Sequence, residues 1–316
     1  MILDRRSVSI LLLALALPAH AAAPPWPSQE IRDGQNGRVK GVAFSNDGLF
    51  MASADTAGTV MVYMFPGPRR FAKLDGEHFS QVEFSPDGET LVAGGTDQLV
   101  YIWRRPFGEF VRTLPYPGPV EAVAVTRDVV LAAGGGDRSI RRWMLPKLQE
   151  LAPLPGHSDD VYALCASPDG ATIVSGGKDR LIRVWDAAAR TSRTLRGRDA
   201  SVHGLAFSPD GTLLASSYGD GTVALWNTQN WRVVELETGP TRAVHGLAVS
   251  PNGRWLAGAG SDRLVWVWAL GDTSAPVRLE GHRRRVNSVA FSRDGRWLAS
   301  AANDTTVRLW TVPPAP

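Results

Sequence analysis

Side chains capable of chemistry are few in this chain. It carries six histidines and a single cysteine, Cys165. One thiol excludes an intrachain disulfide, a cysteine-rich zinc site, an iron–sulfur site and covalent c-type haem attachment. Gly-x-Ser-x-Gly, His-Glu-x-x-His and the Gly-x-x-x-x-Gly-Lys-Ser/Thr phosphate loop do not occur. Gly134-Gly135-Gly136 resembles a phosphate loop only out of context, because it runs into Asp137 as a strand end and turn. Cys165 lies in the apolar run Leu164-Cys165-Ala166 and is expected to be a packed, inert thiol. His203 and His245 remain. Each stands eight residues before the glycine of a recurring turn. Two neutral imidazoles brought together on one axis are a candidate divalent-metal pair, but no carboxylate partner is fixed by the spacing.

The elements that must position them repeat. An apolar strand runs into Ser-x-Asp-Gly at residues 45–48, 85–88, 167–170, 208–211 and 292–295, and into Ser-Pro-Asn-Gly at 250–253. A shortened form, Thr126-Arg127-Asp128, lacks the glycine. Where proline is present it presets the first turn dihedral, Asp bonds its own backbone, and Gly takes positive φ, so each is a hairpin corner. A second anchor is an aromatic closing an alternating strand: Tyr63, Trp103, Trp143, Trp185, Trp226, Trp268 and Trp310, spaced by 40, 40, 42, 41, 42 and 42 residues. Six residues before each Trp stands an Asp, namely Asp97, Asp137, Asp179, Asp220, Asp262 and Asp304; only the first repeat departs, with Ala57 and Tyr63. Strands such as Leu181-Ile182-Arg183-Val184-Trp185 alternate with period two.

Seven phased units over residues 29–311 resemble the WD-repeat β-propeller family. The resemblance implies an all-β fold of seven four-stranded antiparallel blades around a central channel. It also implies a hydrogen-bonded set in each blade made of Trp, Ser or Thr, the turn Asp and a Gly-His histidine. Two repeats match fully: His157, Ser175, Asp179 and Trp185, then His282, Ser300, Asp304 and Trp310. Repeat five keeps Ser216, Asp220 and Trp226 but has Arg198 for His, and repeat six has Gly258 for Ser. These blades are expected to lean more on packing. Gln29 to Gly34 matches the outer-strand segments at 72–76 and 277–281, while the chain ends soon after Trp310. The N-terminal segment is therefore expected to complete the last blade, which removes an exposed sheet edge.

In that family the position eight residues before the corner glycine lies at the channel mouth, on the ligand-binding face. Here it reads Lys40, Ser80, Glu121, Tyr162, His203, His245 and Asn287, with Glu121 taken by alignment. The residue before each turn Asp reaches the same face and adds Thr96, Lys178 and Asn303. Arg285 belongs to the run Arg283-Arg284-Arg285, expected as a solvated loop, with a basic patch for an acidic partner or anionic lipid as the alternative. Tyr116-Pro117-Gly118-Pro119 is expected as a stiff, exposed loop between blades two and three. A chemically mixed rim on rigid blades suits protein docking.

Residues 1–21 differ from the rest. Arg5-Arg6 precede the apolar run Val8–Leu17, Pro18 breaks it, and Ala19-His20-Ala21 fits a small-x-small cleavage site. This is signal-peptide anatomy; a spanning helix needs about 20 apolar residues, and this core has ten. Arg5-Arg6 also resembles the start of a twin-arginine export signal but lacks its usual continuation, so the general secretory route is the expected one. Residues 22–28 form a Pro-rich spacer and 312–316 a Pro-rich tail. The chain of 316 residues carries 34 basic and 31 acidic side chains, a net +3 that supplies no large field for nucleic acid. The expected function is a non-enzymatic interaction scaffold or accessory subunit, periplasmic or secreted, needing no cofactor and meeting protein partners through the channel-mouth face. It is expected to act as one propeller within a hetero-complex. The alternatives are a metal- or cofactor-binding propeller using His203 and His245, and a cytosolic propeller with an uncleaved leader.

Overall fold

The computed structural model describes residues 26–313, apart from 33, 108, 189–190, 236–238 and 273–274. The leader, the first part of the spacer and the end of the tail lie outside the described residues. The described chain forms seven four-stranded antiparallel sheets, six of them built from consecutive strands. The seventh combines Val286–Phe291, Trp297–Ala302 and Val307–Thr311 with the N-terminal Ser28–Ile31. Ser28 pairs with Trp310 and Ile31 with Val307. This is the expected closure: the last blade takes its outer strand from the beginning of the chain. Trp26 secures it, buried and edge-on to Trp255 with ring centroids 5.8 Å apart.

Each hairpin corner follows from its residues. At Ser45–Gly48 the Ser45 hydroxyl donates to Asp47 at 2.6 Å, and Gly48 takes φ 74° as its amide reaches the Ser45 carbonyl. The glycine-free third corner closes with Val129 N–H donating to the Thr126 hydroxyl at 3.0 Å. At Gly134 a Cβ would stand 2.1 Å from the Pro119 carbonyl oxygen, so close backbone packing, as expected of a strand end, accounts for the glycine.

The core is divided into seven apolar clusters, each joining two adjacent blades. The phased aromatic of every repeat enters the cluster shared with the preceding blade: Trp103 packs against Val60 and Val62 of blade one, Trp310 against Val265 and Val267 of blade six. Burial of such rings contributes roughly 2–3 kcal/mol each by area, and it acts between blades. The inner strands of all seven neighbouring blade pairs are in contact, so the ring is complete.

Two expectations are corrected. Tyr116 is buried, not exposed, and its hydroxyl donates to the Ser139 carbonyl at 3.0 Å. Its flanking prolines hold the ring inward, where it joins the cluster between blades two and three. Cys165 is half-buried and lines the channel, because it belongs to the inner strand Val161–Ala166, whose free edge faces the axis. Burial nevertheless holds its thiol far above the ordinary range, in keeping with an inert group.

Candidate functional site

The two full blade networks form as expected. His157 Nδ1 lies 2.8 Å from Asp179, its Nε2 2.7 Å from Ser175, and Trp185 Nε1–H donates to the Ser175 hydroxyl at 3.0 Å. His282, Asp304, Ser300 and Trp310 repeat this arrangement, with Trp310 donating to Ser300 at 2.8 Å. Burial outweighs the Asp179 carboxylate and lowers the His157 pKa. In Asp304, hydrogen bonds from His282 and Thr306 overcome burial and hold the carboxyl far below the usual range.

The incomplete blades do not simply fall back on packing. In blade five Trp226 donates to Ser216 at 2.9 Å, and Ser216 reaches the Tyr218 hydroxyl at 3.1 Å, the place of the missing imidazole. Arg198 lies 3.5 Å from Asp220. In blade one Gln35 donates to Ser53 at 2.6 Å, and Asp55, two residues before Ala57, accepts the amides of Asn36, Gly37, Ala57 and Thr59. In blades two, three and six the side chain two residues before the Trp supplies the donor: Tyr101 to Asp97 at 2.6 Å, Arg141 to Asp137 at 2.7 Å and Trp266 to Asp262 at 2.9 Å. The turn carboxylates thus find donors of differing type: histidine in blades four and seven, and tyrosine, arginine or tryptophan from one shared position in blades two, three and six.

The seven residues expected at the channel mouth are brought together. All of them line one cavity of about 560 Å³ on the axis. Each sits where its inner strand shifts register against the next strand: Lys40 between the pairs Val39–Asp55 and Gly41–Ala54, His203 between Val202–Tyr218 and Gly204–Ser217. The same shift recurs at Ser80, Glu121, Tyr162, His245 and Asn287. A bulge leaves one residue unpaired and re-aims its side chain. Seven bulges at one level therefore build the mouth.

Its members are unequal. Ser80 donates to Val120 of the next blade, and Asn287 to Val39 at 2.7 Å, so both stitch neighbours together. Tyr162 stacks on His203 at 5.3 Å, and His203 meets His245 edge-on at 5.1 Å. His245 Nε2 is engaged by the Ser261 hydroxyl at 2.7 Å. Burial, then Arg285, lowers the pKa of both imidazoles, with His245 pushed down to about 3. Opposite this aromatic arc, burial and Arg285 lower the Lys40 pKa against the pull of Glu121, while burial raises that of Glu121. Arg285 donates to Asn287 at 2.8 Å, and Asn287 to Asn303 at 2.9 Å. Thr96 and Lys178 do not join the cavity; they are exposed on the rim, where Thr96 bonds the His78 carbonyl and Lys178 pairs with Asp159.

Among the described residues no three His, Cys, Asp or Glu side chains are placed to share a metal ion, so the histidine pair lacks a third ligand of that kind. Three positions beyond each mouth residue stand Ala43, Ala124, Ala206, Ala248 and Ala290, with Glu83 and Cys165 as the exceptions. Ala43, Glu83, Cys165, Ala248 and Ala290 line the channel, while Ala124 is buried between blades three and four. Burial raises the Glu83 carboxyl to about 8, opposed only by the Val125 amide. Sequence reasoning passed over Glu83; comparing that position across the repeats would have singled it out.

A closed seven-bladed β-propeller with structural polar networks within its blades and a mixed polar mouth belongs to the class of repeat scaffolds that meet partners on a rigid face. The pattern of the WD40 family (WD domain, G-beta repeat) matches residues 27–63, 72–104, 148–186, 189–227, 232–269 and 275–311, and the chain belongs to that family. The stretch between 104 and 148 is unmatched; it holds the third repeat, whose corner lost its glycine. The chain is 30% identical over 162 residues to Protein FIZZY-RELATED 3 of Arabidopsis thaliana, covering 48% of this chain and 34% of that protein. It is 31% identical over 152 residues to Cilia- and flagella-associated protein 52 of Chlamydomonas reinhardtii, covering 47% and 24%. B-type cell cycle switch protein ccs52B of Medicago truncatula is 30% identical over 162 residues, 48% and 33%. These alignments span about a third or less of each relative. Family membership marks the chain as a propeller of the protein-interaction class. No described helix is long and apolar enough to cross a membrane.

Proposed function

We propose that this chain is a non-enzymatic docking scaffold, exported through its N-terminal leader, which binds a protein partner on the channel-mouth face. One observation carries the reading: seven bulged residues of unlike chemistry converge on a single mouth held by a closed ring. The Tyr162–His203–His245 arc offers a stacked, amphipathic surface, and aromatic groups of this kind dominate interface energetics. Lys40, Glu121 and Arg285 supply charges that orient the partner. The leader of basic residues, short apolar core and Ala19-His20-Ala21 supports a periplasmic or secreted location.

The test is crosslinking and capture from the envelope fraction of the source cell, using a tag after Pro316. One stoichiometric partner is expected, and the combined Y162A, H203A and H245A change should abolish its capture. Capture unaffected by that triple change would overturn the docking face. A mature protein beginning at residue 22 is expected; an intact leader would overturn export.

A further inference from the structure

Beside the mouth, between the loops of blades six and seven, lies a second cavity of about 560 Å³. Arg242, Arg263, Arg283, Arg284 and Arg285 line it, brought together from three separate segments. Four of these are exposed, and Arg285 is shared with the channel mouth. Its one carboxylate, Asp262, accepts from Leu264 N–H and Trp266 Nε1–H and so serves its own turn. Among the described residues no ion pair engages Arg242, Arg263, Arg283 or Arg284. Five guanidinium groups around one cleft repel each other, and the chain's near-neutral balance makes this a local feature.

We propose that this cleft binds an extended, Asp/Glu-rich segment of the partner protein, laid from the Arg242 side toward Arg285 and the channel mouth. The proposal rests on the docking reading above and names the partner's chemistry. Guanidinium forks pair with carboxylates bidentately. In an extended peptide, alternate side chains face one way about 7 Å apart, which suits donors spread over three loops better than a single point anion does. Ser261 and Asn303 add neutral polar groups to the same wall. A membrane surface fits less well, because the exposed large apolar residues, such as Phe71, Phe110 and Met144, lie on other strands and none lines the cleft.

The probe is a fluorescein-labelled decapeptide of alternating Glu and Gly, followed by anisotropy with the full-length mature protein. Binding should weaken as salt rises and fall at least tenfold in R242E/R284E. R193E/R232E, an equal charge change at exposed positions outside the cleft, should leave it within twofold. The milder R242Q/R284Q pair should give an intermediate loss with an unchanged melt, which separates binding from folding. Failure of the wild type to bind, or equal losses in the two charge-reversed pairs, would overturn the proposal. So would retention of vesicles of phosphatidylserine and phosphatidylcholine through these arginines without peptide binding. If the peptide fails while partner capture still depends on Tyr162, His203 and His245, the acidic-segment inference falls alone.

Discussion

Replacing Glu83 by Gln should stabilise the propeller, and increasingly so as pH rises. The Glu83 carboxyl faces the channel among alanines, beside the Cys165 thiol, and burial lifts it from an ordinary 4.5 to about 8. A raised carboxyl pKa means that the folded state binds more protons than the unfolded state between these values. Stability therefore declines from about pH 4.5 upward and levels off once pH passes the folded pKa. Each factor of ten in proton affinity is about 1.4 kcal/mol. Full linkage from pH 5 to pH 8 would amount to roughly 3–4 kcal/mol; the channel opens to solvent, so about 2 kcal/mol is the working figure. For a domain of this size that is a Tm difference of about 4 °C. Gln keeps the shape and still accepts from Val125, but cannot ionise. Calorimetric or circular-dichroism melts of both proteins at pH 5 and pH 8 test this, because other titrating groups cancel in the difference. A wild-type–E83Q gap that is equal at both pH values, or larger at pH 5, would refute the placement of an enclosed carboxyl in the channel.

Two further outcomes concern the ring. Trp26→Ala should cost about 3 kcal/mol, because it removes the buried indole that anchors the closing strand against Trp255; an unchanged melt would mean that the pairing of Ser28–Ile31 holds without it. Tyr218→Phe should cost about 1 kcal/mol in urea unfolding, since Ser216 loses the hydroxyl that stands in for histidine, and no loss would show that this substitution carries no load.

The repeats were legible because turn chemistry and strand-closing aromatics are local and cannot be moved without breaking a blade. Trp103 through Trp310 marked the blade interfaces, and Gln29–Asp33 closely anticipated the closing strand at Ser28–Ile31. Mouth residues were legible through register alone: counting back from the corner glycine found all seven, although nothing in their types announces a bulge. Some substitutes keep the repeat's spacing: Gln35 stands eighteen residues before Ser53, as His157 does before Ser175, and Tyr101 and Trp266 each stand four after the turn Asp. They were not legible because their side-chain types differ from the family's, whereas Asp55 and Tyr218 take positions that the family's set does not use. Glu83 was missed since an alternating strand gives a polar residue at that position whether it faces solvent or an enclosed channel. Arg242 and Arg263 belong to segments far from Arg283–Arg285, and only ring geometry joins them.

That separation of roles bears on how a seven-fold scaffold would read one partner on the proposed docking face. Blade networks tolerate replacement because any donor of suitable reach satisfies the turn carboxylate, so the ring stays nearly regular while its residues vary. The mouth has no such averaging. Blades four to six present the Tyr162–His203–His245 stack, blades seven and one present Arg285 and Lys40, and blades two and three present Ser80 and Glu121. Rotating a partner by one blade would move an apolar contact from His245 onto Arg285, and an acidic group from Lys40 onto Ser80, leaving charge unpaired. Such mismatches cost several kcal/mol, enough to select one of seven orientations. On the proposed docking reading, the five-arginine cleft beside this asymmetric ring would give the selected orientation a polarity along the partner chain.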